Sequence, residues 1–211
     1  MTNFQRIDSN YPIEKILPFC ESAIGDDRPG AQNMHPIDWE DNQASFLYLL
    51  YKEKRYDGFG NGYIIATKDD RIVCGMGYSI SDIDDKMIHI NSRTYTIPDV
   101  RVPRVHGVIH DYVVDISREA GFHGSFSSLN EYNIKFVDGY IKINDPKTFK
   151  TYFYQDGKHY AKTGVRIHPM KKAGPVIIKG AKQWIMYQVW NELHRESFLR
   201  TLDSIRWDEI S

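Results

Sequence analysis

The stretch Tyr95-Thr-Ile-Pro98-Asp-Val-Arg101-Val-Pro-Arg-Val105-His-Gly107 decides how the chain is read. Upstream of it, Met87 to Ile97 alternates with a period of two, as a strand does. His89, Asn91, Arg93 and Tyr95 fall on one face, and Ile88, Ile90 and Thr94 on the other. Downstream, Val105, Val108, Ile109, Tyr112, Val113, Ile116 and Ala120 form an apolar stripe at the i, i+3, i+4, i+7 spacing of an amphipathic helix. Pro103 suits its first turn, and Gly121 is a natural C-terminal stop. A strand around His123-Gly-Ser-Phe-Ser-Ser-Leu129 and a helix over 133–143 follow. The quoted residues are thus the turn of a β-α-β-α unit. A helix start offers an anion unpaired N–H groups and the positive end of the macrodipole, so a phosphate-bearing cofactor is expected at this turn.

The flanks read as scaffold. Phe4 to Ile7 is a short edge strand, and Pro12 opens a helix with Ile13, Ile16, Leu17, Cys20 and Ile24 on one face. A second helix runs from about Asp41 to Lys54. Asp57-Gly-Phe-Gly-Asn-Gly62 ends it as a flexible connector, because none of these glycines precedes a helix as a phosphate loop requires. Tyr63 to Thr67 and Ile72 to Ile80 are strands. In the latter, Gly75 and Gly77 leave one face bare, open to a helix or a ligand. Beyond the central unit, Thr151–Tyr154 and His159–Lys162 flank Asp156-Gly157, a strong hairpin signal. Lys171-Lys-Ala-Gly-Pro175 reads as loop, Gln183 to Val189 as a last strand, and Leu193 to Ile205 as a C-terminal helix.

From Arg101 onward the chain resembles the GNAT-type N-acetyltransferase superfamily. In that family a strand ends near a proline, and an Arg/Gln-x-x-Gly-x-Gly/Ala turn opens a helix that closes on glycine. A strand and Asn-x-x-Ala-x-x-x-Tyr come next. Pro98, Arg101, Gly121, Asn133 and Tyr140 stand at the family's usual offsets without a gap. The match departs from the pattern at Arg104 and His106, which occupy the two small positions of the turn, at Gly107, where the only glycine of the turn lies, and at Phe136, which replaces alanine. A side chain at the small positions obstructs close approach of backbone N–H groups to a pyrophosphate, although arginine can bind phosphate bidentately instead.

The resemblance implies an α/β fold with a mixed, mostly antiparallel central sheet of about six to seven strands, helices on both faces and a C-terminal helix. It implies one acyltransferase domain over 1–189, with 190–211 as a helical extension. It further implies an acyl-CoA-dependent N-acyltransferase moving acetyl from acetyl-CoA to a primary amine. Tyr140 would be the general acid for the departing thiolate, and Asn133 would orient cofactor or substrate groups. Backbone N–H groups near Tyr95 and Thr96 would take the pantetheine arm, and Arg101, Arg104, Val105, His106 and Gly107 the diphosphate. His89, Glu131 or a water chain could each be the base. Tyr140 also suits a packed helix tyrosine, and Asn133 a helix N-cap.

Other classes are narrowed by composition. Of the 211 residues, 41% are hydrophobic and 26% charged, values that carry a packed core. A net charge of −1 argues against holding duplex DNA by bulk electrostatics. Basic residues interleaved with aromatics between Lys150 and Trp184 would suit a single-stranded nucleic-acid groove, but a lysine-rich sheet edge is the favoured reading. The resemblance therefore leaves two alternatives: a catalytically silent GNAT-shaped binding or assembly protein, and a phage-type member that modifies nucleic acid. Cys20 and Cys74 read as buried free thiols of a reducing compartment. His106 and His110 have the spacing of a zinc pair but lack the intervening glutamate of the known motif. No apolar run approaches a membrane span, so the expectation is a cytoplasmic protein with an amine-bearing partner and a possible homodimer.

Overall fold

The computed structural model describes residues 2–26, 47–58, 60–81, 86–98, 105–130, 149–155, 158–164, 171–178, 181–190 and 192–204. Seven strands form one sheet: β1 (Thr2–Ile7), β2 (Gly62–Lys68), β3 (Arg71–Ile80), β4 (Met87–Thr96), β5 (Gly124–Asn130), β8 (Lys171–Ile178) and β9 (Ala181–Val189), in the order β1-β2-β3-β4-β5-β9-β8. Among the described residues only β4 and β5 run parallel; every other neighbouring pair of this sheet is antiparallel. β6 (Phe149–Gln155) and β7 (Lys158–Gly164) make a separate ribbon, paired about the expected hairpin, whose turn at 156–157 lies outside the described residues. This is the mixed, mostly antiparallel sheet that the resemblance implies.

The chain has helices on both faces because each sheet face is apolar. On one, Ile64, Met76, Ile88 and Ile90 meet Val105, Ile109, Val113 and Val114 of α2 (Val105–Glu119). Gly121 closes α2 with φ +87°, and Phe122 N–H reaches the Ser117 carbonyl, an arrangement that glycine admits at no steric cost. Ala120 lies past the helix end and is exposed. On the other face, Ile7, Tyr63, Ile65 and Tyr95 meet α1 (Ile13–Ile24) and a π-helical turn, Tyr48–Lys52. That turn is the described part of the expected 41–54 helix. Its wider winding, closed by Glu53 N–H on the Tyr48 carbonyl, buries both Leu49 and Leu50.

Three expectations need correction. The buried stripe of α1 is Ile16, Phe19, Cys20 and Ala23, while Ile13 and Leu17 are exposed. Phe19 decides this: a ring buries more apolar area than either aliphatic, so its stripe faces the core. The 171–175 stretch is strand, not loop; it opens β8, an edge strand, where Pro175 has no ladder bond to lose. The glycine connector at 57–62 is pinned. Ser9 donates twice to the Asp57 carboxylate, Arg6 reaches the Gly58 and Asn61 carbonyls, and Ile80 N–H donates to Asn61 Oδ1.

After β9 the chain folds back through a short turn, Glu192–His194, into α3 (Arg195–Ser204). Leu199 packs on Met87, Phe126, Ile185 and Val189, and the His194 ring stacks on His123 with centroids 3.6 Å apart. No helix among the described residues is long and apolar enough to cross a membrane.

Candidate functional site

The site begins where a ladder stops. β4 and β5 pair at Met87 with Gly124, Ile88 with Ser125 and His89 with Phe126, and no further. Past these three rungs β4 runs on to Thr96 and β5 to Asn130 with no ladder between them. Each strand is held by its outer neighbour instead. β3 follows β4 as far as Thr96, and β9 follows β5 as far as Asn130. Two strand edges that do not pair with each other can offer their amide groups to an extended polar ligand.

The parting has a cause in β4. Between Gly75 and Gly77, β3 advances two residues while β4 advances three, from Tyr95 to Ser92; between Gly77 and Tyr78 it advances one while β4 advances two. These two β-bulges begin just past the last rung to β5, and a bulge bends and twists its strand. Arg93 lies within the bulged stretch with φ +51°. Its carbonyl is taken by the Tyr63 phenol of β2, which donates across β3 at 2.8 Å. The missing side chain of Gly75 makes room: a Cβ there would lie 2.5 Å from the Tyr63 ring. At Gly75 the bare face is therefore filled from within the sheet, by the Tyr63 ring.

Tyr95 points away from the gap, into the core under α1. Its hydroxyl donates to Asp26 Oδ2 at 2.8 Å and lies 3.0 Å from the Ser22 carbonyl, and its ring meets Phe19 edge-on. Only its backbone is available to the parted edge. Thr96 donates to Cys74 Sγ at 3.1 Å. Within the bulged stretch the Thr94 hydroxyl is buried and has no hydrogen-bond partner. At the vertex, the half-buried His89 ring stacks on Phe126 at 5.1 Å. The first turn of α2, containing His106 and Gly107, has no acidic side chain, so nothing there opposes an anion.

Both cysteines are buried and free, Cys20 on the buried stripe of α1 and Cys74 on the α2 face of the sheet. Burial pushes each thiol up to about 12, so neither is a ready nucleophile. His110 is buried, with Nδ1 lacking a hydrogen bond and 3.7 Å from Asp111. Among the described residues, no three His, Cys, Asp or Glu side chains gather as a metal site.

Of the residues singled out from sequence, His89, Tyr95 and Thr96 share β4, on the rungs and the parted stretch, while Val105, His106 and Gly107 open α2. Arg101, Arg104, Asn133 and Tyr140 lie outside the described residues, as do Glu131 and Phe136. Sequence reasoning missed Tyr63, Thr94, Asp26 and Phe126. The signal for Tyr63 was present in Gly75, a glycine in a strand interior that a neighbouring ring could fill.

No protein-family model matches the sequence, and no curated protein matches it in sequence. Solved structures do match its fold. A GNAT-family acetyltransferase from Staphylococcus aureus Mu50 superposes with a TM-score of 0.57 at 13% identity, over 90% of this chain and all of the other. The PaiA N-acetyltransferase of Thermoplasma acidophilum, in complex with coenzyme A, gives 0.57 at 10% identity, over 90% of this chain and 99% of its own. The CoA-dependent acyl-homoserine lactone synthase BjaI, with MTA, gives 0.51 at 11% identity, over 98% and 92%. The chain has the GNAT acetyltransferase fold.

Proposed function

We propose that the chain is an acyl-CoA-dependent N-acyltransferase, moving acetyl from acetyl-CoA to a primary amine. The parting of β4 from β5 after His89 carries this reading, because it leaves two strand edges for the amides of a pantetheine arm. The residues fit the co-substrate. The Tyr95 and Thr96 backbone lies on the stretch of β4 that has no ladder to β5, and the first turn of α2 has no acidic side chain. Arg101, Arg104, Val105, His106 and Gly107 are assigned to the diphosphate, with arginine side chains replacing the usual close backbone contact.

Acetyl-CoA supplies an activated thioester. The amine nitrogen forms the new bond to its carbonyl carbon, the C–S bond breaks, and the sulfur leaves with a proton. Tyr140 is assigned that proton. His89, at the vertex, is assigned to relieve the amine of its own through water, and Asn133 to orient the reactants. Phe126 holds the His89 ring by stacking, which limits the directions its nitrogens can take.

Titrating acetyl-CoA while following the melting temperature tests the reading. Ligand at a hundred times Kd should add ~2.7 kcal/mol of stability. No shift at millimolar acetyl-CoA rejects it. Arg104 and His106 at the turn's small positions favour a second reading, a GNAT-shaped binding protein without transfer. A melting shift with no acetylated product from any amine would select it.

A further inference from the structure

We infer that Tyr63 is a positioning residue of the cleft: its phenol holds the bulge of β4 and so sets how far β4 stands from β5. The affinity arm of this inference rests on the acyl-CoA reading; the geometry does not. β4 leaves β5 within a few residues of the place where it gains its two extra residues. An extra residue turns a carbonyl out of the ladder, and a buried carbonyl needs a donor. Arg93 lies in that stretch with φ +51°, a conformation a non-glycine residue keeps only when its surroundings impose it.

What imposes it is a side chain from two strands away. Tyr63 is fully buried, its ring lies diagonally across Gly75, and its hydroxyl donates to the Arg93 carbonyl at 2.8 Å. Tyr56 meets the ring edge-on with centroids 5.7 Å apart and closes it from the side. Burial pushes the Tyr63 hydroxyl well above its usual range, so it remains a donor at any working pH. The device therefore has three parts: a ring on β2, a gap in β3 and a carbonyl on β4.

The test compares Tyr63→Phe with Tyr51→Phe. The latter removes a tyrosine bond of similar length, to the Tyr11 carbonyl at 2.7 Å, away from β4. Amide hydrogen exchange over residues 90–96 should speed roughly ten-fold in Tyr63→Phe, the effect of one lost buried bond, and stay unchanged in Tyr51→Phe. The dissociation constant for coenzyme A should rise roughly ten-fold in the first and move less than about two-fold in the second. Gly75→Ala, whose methyl would displace the ring, should reproduce Tyr63→Phe. Unchanged exchange at 90–96 overturns the inference, and so does exchange that speeds equally throughout the sheet. Wild-type protein that binds no coenzyme A overturns the acyltransferase reading, while the exchange arm still decides the role of Tyr63.

Discussion

Along its edge to β3, β4 keeps a ladder from Ile88 to Thr96, even across two bulges; along its edge to β5, the ladder ends at His89. Both edges belong to one strand, so neither propensity nor hydrophobicity separates them. The β3 edge has apolar clusters on both faces of the sheet, with Met76, Ile88 and Ile90 under α2 and Tyr63, Ile65 and Tyr95 under α1. At the β5 edge only the first three rungs are secured, on the α3 side by Met87, Phe126 and Leu199. The sheet thus places stability on one side of β4 and leaves the other, the side assigned to binding, without a ladder past His89. Substitutions on the closed side should cost folding, and those assigned to the open side should cost turnover.

Tyr140→Phe tests that division most severely. If Tyr140 protonates the leaving sulfur, kcat should fall by ~10²–10⁴, the usual worth of a positioned acid, with the melting temperature almost unchanged. Steady-state rates beside a thermal melt would show it, and a wild-type kcat would remove Tyr140 from the chemistry. Ile109→Ala should do the reverse. Ile109 is fully buried between α2 and the sheet, and its loss should cost about 2–5 kcal/mol in urea unfolding. A loss below about 1 kcal/mol would mean that α2 is not anchored as described.

Tyr95→Phe lies between the two cases. It strips the Asp26 carboxylate and the Ser22 carbonyl of a shared donor, so it should cost about 1–3 kcal/mol. Activity should survive, because only the Tyr95 backbone borders the gap. A collapse of kcat without loss of stability would show that the hydroxyl itself faces the substrate.

The buried thiols predict an alkaline limit. Cys20 and Cys74 rise from 9.0 to about 12 on folding because burial disfavours the thiolate. A group raised in this way contributes stability that is complete below its unfolded value and is lost as pH climbs through its folded one. Unfolding free energy should therefore decline between pH 9 and 12, and the decline should shrink in Cys74→Ala. A thiol reagent at pH 8 should modify neither cysteine until urea unfolds the chain. The smallest effect is expected far from the cleft. Glu196→Ala removes an exposed i,i+4 pair to Arg200 on α3 and should change stability by less than about 0.5 kcal/mol.

Much of this architecture was legible in residue spacing. The α2 stripe, its stop at Gly121 and the ribbon about Asp156-Gly157 are local signals, each set by a few adjacent residues. The fold class follows from their order together with the family resemblance that begins at Arg101. What stayed hidden depends on partners distant in sequence. The bulges of β4 leave the apparent alternation of Ile88, Ile90 and Thr94 intact, so only pairing with β3 reveals them. The period alone does not fix the face of α1, because Ile13 and Leu17 fit it as well as Phe19 does, and the partner ring of Tyr95 lies far along the chain. The 171–175 opening of β8 reads as loop because glycine and proline usually punctuate; an edge position tolerates both. Of the proposed site, His89, Tyr95 and Thr96 are readable by position, whereas Gly75 signals only that something fills its face; that Tyr63 does so emerges once β2, β3 and β4 lie side by side.

The β5–β9 ladder has one more consequence. β5 is joined to β4 by only three rungs, and the rest of its length is steadied by β9, which is made last among the strands. During synthesis the outer wall of the cleft must therefore wait for residues 181–189, although the inner wall can already have formed. Closing so long a stretch of chain is slow, and until it closes β5 is an exposed strand edge on a nascent polypeptide. The last part of the protein to acquire its shape is thus the part assigned to hold the ligand.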